Sequence, residues 1–184
     1  MKFLLIAFLS LQMVSKNTFK DSKVIIFDFS KDSNIKNWRI VNDDVMGGIS
    51  SSTFTLSKDG HGVFKGIVST DNNGGFASVR YAMNKTKVEN LNSITIRLKG
   101  DGKNYQFRIK HKNSDYFSYI TSFSTSGKWE LIEIKLADLY PSFRGRKLDK
   151  PNFNKNDMEQ ISFLIANNKN ERFQLEIDRI ELNK

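Results

Sequence analysis

Apolar and polar residues alternate along most of this chain with a period of two. Ile94, Ile96 and Leu98 fall on one side of an extended segment while Thr95, Arg97 and Lys99 fall on the other. Tyr105, Phe107 and Ile109 repeat the pattern against Gln106, Arg108 and Lys110. The same spacing recurs in Ile25, Phe27 and Phe29; in Phe64, Gly66 and Val68; in Ile132, Ile134 and Leu136; in Ile161, Phe163 and Ile165; and in Phe173, Leu175 and Ile177. Successive side chains of a strand point to opposite faces, so each run predicts a half-buried strand. Between the runs stand Lys58-Asp59-Gly60, Asn72-Asn73-Gly74-Gly75, Gly100-Asp101-Gly102 and Ser126-Gly127, which supply the backbone that tight turns need. Helical spacing is confined to single turns at Leu136 to Tyr140 and Asn156 to Gln160. Short strands with regularly placed turns and no internal repeat predict an all-β chain, a single β-sandwich or jelly roll.

The totals agree with one folded domain: 184 residues, 39% hydrophobic and rich in Phe, with only two prolines. That domain is expected over residues 23–184, after a short lead at 16–22 and a distinct segment at 1–15. In MKFLLIAFLSLQMVS one lysine precedes an uncharged run from Phe3 to Ser15. The run is shorter than the roughly 20 apolar residues of a membrane-spanning helix. It has the composition of a signal peptide, which predicts an exported protein, periplasmic, envelope-associated or secreted. With no arginine before Arg39, a mitochondrial transit peptide is not expected. An unprocessed N-terminus would instead leave the protein cytoplasmic or membrane-associated.

The absence of cysteine excludes disulfides, thiolate metal sites and a cysteine nucleophile. The net charge of +9 is spread along the chain and suits contact with anionic membranes, polysaccharides or acidic proteins. No recognition helix, zinc finger or RNP-like motif accompanies it, so nucleic acid is not an expected partner. His61 and His111 stand beside neither a nucleophile nor a metal-ligand pattern, and there is no GxSxG, HExxH, P-loop or GxGxxG. A non-enzymatic protein is expected, with hydrolase activity the residual alternative. No cofactor is expected; Asp43, Asp44, Asp71 or Asp101 could join backbone oxygens around a structural calcium ion, but no EF-hand spacing supports one.

Four segments carry more glycine, asparagine and aromatic residues than a generic sandwich requires: WRIVNDDVMGGISSS (38–52), NNGGFASVRY (72–81), GDGKNYQFRI (100–109) and YPSFRGR (140–146). Turn chemistry and packing explain much of this. Gly47-Gly48 and Gly74-Gly75 permit bends, Trp38 and Met46 read as core residues, and Arg80 has Asp44 and Asp101 as candidate ion-pair partners. NDDVMGGIS reads as a shaped loop in which Asp43 or Asp44 holds backbone N–H groups, with Asp44→Ala expected to cost stability.

Taken in order, W-x-x-x-N-D-D-V-M-G-G-x-S, F-x-G, N-N-G-G-F-A-S-V-R, G-D-G-x-x-Y-x-F, Trp129 and F-R-G resemble the complex I intermediate-associated protein 30 family over roughly residues 25–182. The resemblance implies a galactose-binding-like jelly roll and a chaperone-like role in assembly of NADH:ubiquinone oxidoreductase, with no catalytic residues to carry over. The expected partner is therefore a protein, such as a subunit of a membrane complex. Its patch would use Met46 and Phe143 near Arg144 and Arg146. The alternative partner is a glycan outside the cytoplasm, held by aromatic faces among Tyr105, Tyr116, Phe117, Tyr119 and Trp129. The candidate binding surface is thus drawn from Asp43, Asp44, Met46, Arg80, Asp101, Tyr105, Phe143, Arg144 and Arg146.

Overall fold

A computed structural model describes residues 23–184; the expectations for 1–15 and 16–22 lie outside these residues. Among the described residues thirteen strands form two antiparallel sheets packed face to face as a β-sandwich. The six-stranded sheet contains β1 (Val24–Asp28), β3 (Ser51–Leu56), β4 (Gly62–Val68), β6 (Ser93–Lys99), β9 (Trp129–Lys135) and β13 (Glu171–Asn183). The seven-stranded sheet contains β2 (Trp38–Ile40), β5 (Ala77–Lys87), β7 (Asn104–Lys110), β8 (Ser118–Ser124), β10 (Tyr140–Phe143), β11 (Arg146–Lys147) and β12 (Asp157–Ile165).

The long strand β13 organises the first sheet. One of its edges pairs with β4 through Glu171–Ile177 and then with β1 through Arg179–Leu182, while the other pairs with β6. In the second sheet the order is β11-β10-β8-β7-β12-β5-β2, which puts β2 and the β10–β11 hairpin at opposite edges. The apolar sets read from the sequence meet between the layers. Phe64, Ile94, Ile96, Leu98, Leu175 and Ile177 from one sheet face Phe107, Ile109, Ile161, Phe163 and Ile165 from the other. At one end Trp38 stacks between Phe54 and Tyr81, with ring centroids 4.8 and 4.9 Å away.

Two local expectations fare differently. Leu136–Asp138 forms a 3-10 turn, as the spacing predicts. Asn156 to Gln160 does not: Asp157 already opens β12, because it pairs with Lys87 on β5 and the backbone finds ladder partners there.

Candidate functional site

The NDDVMGGIS segment folds around one carboxylate. Asp43 begins a 3-10 turn, Asp43–Met46, and is 1% exposed. Its Oδ1 accepts the Ser50 N–H at 2.9 Å, and its Oδ2 accepts the Ser50 hydroxyl at 2.5 Å and the Gly75 and Phe76 N–H groups at 2.6 and 3.1 Å. Two glycine pairs that are 27 residues apart in the chain (Gly48 to Gly75) are thereby tied to one side chain. A methyl group on Gly48 would overlap the Asp43 carboxylate carbon, and one on Gly74 would lie 2.7 Å from Oδ2. Gly47 and Gly75 adopt φ of 90° and 133°, which a residue with a Cβ rarely adopts. Burial pushes the Asp43 carboxyl pKa up, but the hydrogen bonds from Ser50, Gly75 and Phe76 outweigh it and hold the group below the usual range.

Asp44 does not share this role. It is exposed and contributes only its backbone carbonyl, to the Gly47 N–H at 3.0 Å. The stability role expected of Asp44 therefore moves to Asp43, whose side chain the 3-10 turn directs inward. Met46, a core residue on the packing reading and a surface residue on the binding reading, is 52% exposed on the same turn. It follows β2, at the sheet edge opposite β10, so it does not share a patch with Phe143.

Asp101 and Tyr105 form a buried tie of their own. Tyr105 is 1% exposed, and its hydroxyl donates to Asp101 Oδ1 at 2.9 Å. Asp101 Oδ2 accepts from Lys103 Nζ at 2.7 Å and from the Gln174 N–H at 3.0 Å, linking the β6–β7 turn to β13. Burial and the adjacent Asp101 raise the Tyr105 pKa far above the phenol range. Tyr105 braces the fold rather than offering a surface, while Asp101 stays partly exposed. Tyr105→Phe is expected to lower the urea-unfolding free energy by about 1 kcal/mol, because it leaves one acceptor of Asp101 unfilled.

Phe143, Arg144 and Arg146 lie together at the β10–β11 edge of the seven-stranded sheet. An aromatic ladder runs outward from the core through Phe153, Tyr119, Phe117, Tyr116 and Phe143, with successive centroids 5.1 to 5.3 Å apart. Its outer rungs, Tyr116 and Phe143, are 59% and 38% exposed. The Arg144 guanidinium lies 5.3 Å over the Phe143 ring, and exposed Arg146 pairs with Phe143 across the hairpin. Tyr116 sits in the β7–β8 loop, so chain-distant segments supply this edge.

Arg80 makes no ion pair with Asp44 or Asp101. It lies half-buried on the outward face of the seven-stranded sheet, in register with Arg39 on β2 and Ser162 on β12, beyond which comes Arg108 on β7. Arg108 and Lys110 are binding candidates that the sequence reading placed only as the charged side of a strand; the signal was that charged side itself.

The aromatic side chains expected to hold a sugar do not share one face. Tyr105 and Tyr119 are buried. Trp129 lies on the other sheet, under Arg97 at 4.7 Å and beside His61 at 4.6 Å. The calcium candidates are also dispersed: Asp43 is saturated by donors, and Asp101 is engaged by Lys103. Among the described residues no group of three or more His, Asp or Glu side chains is placed to hold a metal ion.

Comparison with known proteins adds a family and a fold. Residues 27–177 match the family model described as complex I intermediate-associated protein 30. The Drosophila melanogaster mitochondrial protein of that name is 24% identical over 183 residues, covering 86% of this chain and 62% of its own length. The probable Caenorhabditis elegans counterpart, also named as mitochondrial, is 27% identical over 84% of this chain and 52% of its own. The chain thus spans between about half and three-fifths of the length of these relatives. Among solved structures, a family 11 carbohydrate-binding module from Clostridium thermocellum, in complex with a β-1,3-1,4-mixed-linked tetrasaccharide, superposes with a TM-score of 0.65. It is 20% identical and covers 88% of this chain and 95% of the module. The same family's module from the cellulosomal cellulase Lic26A-Cel5E gives 0.64 at 20% identity over 89% and 95%. Identity this low shows the fold alone, a jelly-roll sandwich of the galactose-binding-like kind.

The relatives overturn the expectation of export, since they are named as mitochondrial proteins. That expectation rested on one lysine and a short apolar run, and apolar composition by itself does not specify which machinery reads a segment.

Proposed function

This chain belongs to the complex I intermediate-associated protein 30 family, and from that premise we propose that it is a non-enzymatic protein-binding module that assists assembly of NADH:ubiquinone oxidoreductase. The observation that carries the reading is the aromatic edge at Tyr116 and Phe143. Large apolar side chains left in water beside Arg144 and Arg146 have the composition of a protein interface: aromatic and arginine anchors with a polar surround. The ladder already packs edge-to-face against the Tyr116 ring, which reduces the entropy lost when a partner closes over the pair. The location that accompanies this reading is that of the relatives, where complex I is assembled.

The test is recovery of respiratory-complex subunits with the tagged full chain after mild crosslinking. Tyr116→Ala with Phe143→Ala is expected to weaken recovery by about 2 kcal/mol of binding, roughly thirtyfold. Unaltered recovery by the double variant, or no subunits with the wild-type chain, would sink the proposal. A glycan-binding role draws on fold likeness only, and fold is a weak warrant for function. Saturable binding of a mixed-linked glucan by the wild-type chain would bring it forward.

A further inference from the structure

The outward face of the seven-stranded sheet carries a row of cations that the aromatic edge does not use. Strand register lines up Arg39, Arg80, Ser162, Arg108, Ile120 and Tyr140, one residue per strand. Neighbouring strands lie about 4.8 Å apart, so the Arg80 and Arg108 backbones are roughly 10 Å apart. Only the small side chain of Ser162 stands between them. Lys110 follows two residues along β7 on the same face.

Arg108 and Lys110 are held by neutral groups. Gln106 Oε1 accepts from Arg108 Nε and Nη2 at 3.1 and 2.6 Å, and Lys110 Nζ donates to the Asp115 backbone carbonyl at 2.6 Å. Among the described residues no carboxylate comes within ion-pair distance of Arg80 or Arg108. The nearest acidic side chains gather at the Lys110 end. Asp115 pulls the Lys110 pKa upward, and Glu159 accepts the Asn113 N–H at 2.9 Å. Burial depresses the pKa of Arg80, and burial with the charge of Arg80 brings Arg108 down to about 10 and lowers Lys110 as well. Positive charge is thus half-desolvated and mutually repelled, and at Arg108 and Lys110 already oriented, a state that a bound anion relieves.

We propose that this row docks an acidic segment of the protein partner, with a carboxylate seated between Arg80 and Arg108 and further acidic side chains meeting Arg39 and Lys110. The inference rests on the protein-binding reading above. Each guanidinium offers a planar fork of donors that matches a carboxylate through two parallel hydrogen bonds. Several cationic points spaced across the strands suit a chain of successive carboxylates better than a single small ion.

Fluorescein-labelled hexaglutamate, titrated by anisotropy with the full chain at low salt, tests this without the physiological partner. Arg80→Gln and Arg108→Gln are each expected to weaken binding about tenfold. Lys128→Gln, in the turn before β9, should leave it unchanged, and all three should melt like the wild type. Equal losses in all three variants would reduce the row to diffuse charge and overturn the proposal, as would absence of hexaglutamate binding. Tighter binding of oligogalacturonate through the same two arginines would overturn it in favour of an acidic glycan. Hexaglutamate binding that depends on Arg80 and Arg108 stands even if respiratory subunits are never recovered, so the two readings fail separately.

Discussion

Replacing Asp43 with alanine is expected to lower the unfolding free energy by about 3–4 kcal/mol, the largest effect of any single polar substitution in this chain. The cost has two parts. Four donors from Ser50, Gly75 and Phe76 lose a charged acceptor, and the two loops they belong to lose their common anchor. A domain of this size loses roughly 2–4 °C of Tm per kcal/mol, so the melting temperature should fall by about 10 °C. Asp43→Asn keeps the shape but places an amide where only acceptors fit, and should fall between. Asp44→Ala should stay within about 0.5 kcal/mol of the wild type. Equal losses at positions 43 and 44 would refute the clamp. The pH dependence follows from the depressed carboxyl pKa. Stability from Asp43 is fully present above the ordinary value of 3.8 and is lost as pH falls through the lower folded-state value. Wild-type stability should therefore decline in that acidic window with a component absent from Asp43→Asn, measured by urea unfolding at a series of pH values.

Gly66→Ala is expected to cost about 3 kcal/mol and to open the outer edge of the six-stranded sheet. Gly66 on β4 faces Ser52 on β3. A methyl group there would overlap the Ser51 carbonyl oxygen and approach the Ser52 Cα to 2.7 Å, and both are backbone atoms that cannot rotate aside. Ala at Gly102, where nothing lies within 4 Å, meets a different obstacle: a φ of 81° without a clash. It should cost about 1 kcal/mol. Hydrogen exchange should show β3 amides losing protection in Gly66→Ala while β7 and β12 amides retain theirs. Retained β3 protection would show that the strands part without losing their ladder, contrary to this expectation.

Where the sequence alternates cleanly, as in β6, β7 and β13, it specifies both the strand and its buried face. Strand β8 was less legible, because Tyr119 and Ile120 are consecutive and both buried, so its apolar residues do not alternate cleanly. The clamp was legible as a loop but not as a residue: Asp43 and Asp44 are chemically identical, and only the 3-10 turn decides which points inward. Met46 could be read as core or as surface, because the exposure of this apolar side chain depends on the loop's orientation and on no local pattern. The aromatic edge was half visible, since Phe143 and Arg144 are neighbours in the chain while Tyr116 reaches them only through the β7–β8 loop. The cation row could not be read at all as a unit. Arg80 and Arg108 meet because β12, from far later in the chain, inserts between β5 and β7.

The placement of β13 constrains how the molecule is made. This strand separates β1 and β4 from β6, yet it follows all of them in the sequence. A chain still emerging from the ribosome holds the flanking strands with a gap where their hydrogen-bond partner belongs. Folding dominated by such distant pairings falls in the millisecond-to-second range. During that interval the open edges of β4 and β6 are templates for pairing with other chains, so the nascent domain is exposed to aggregation until β13 closes the sheet.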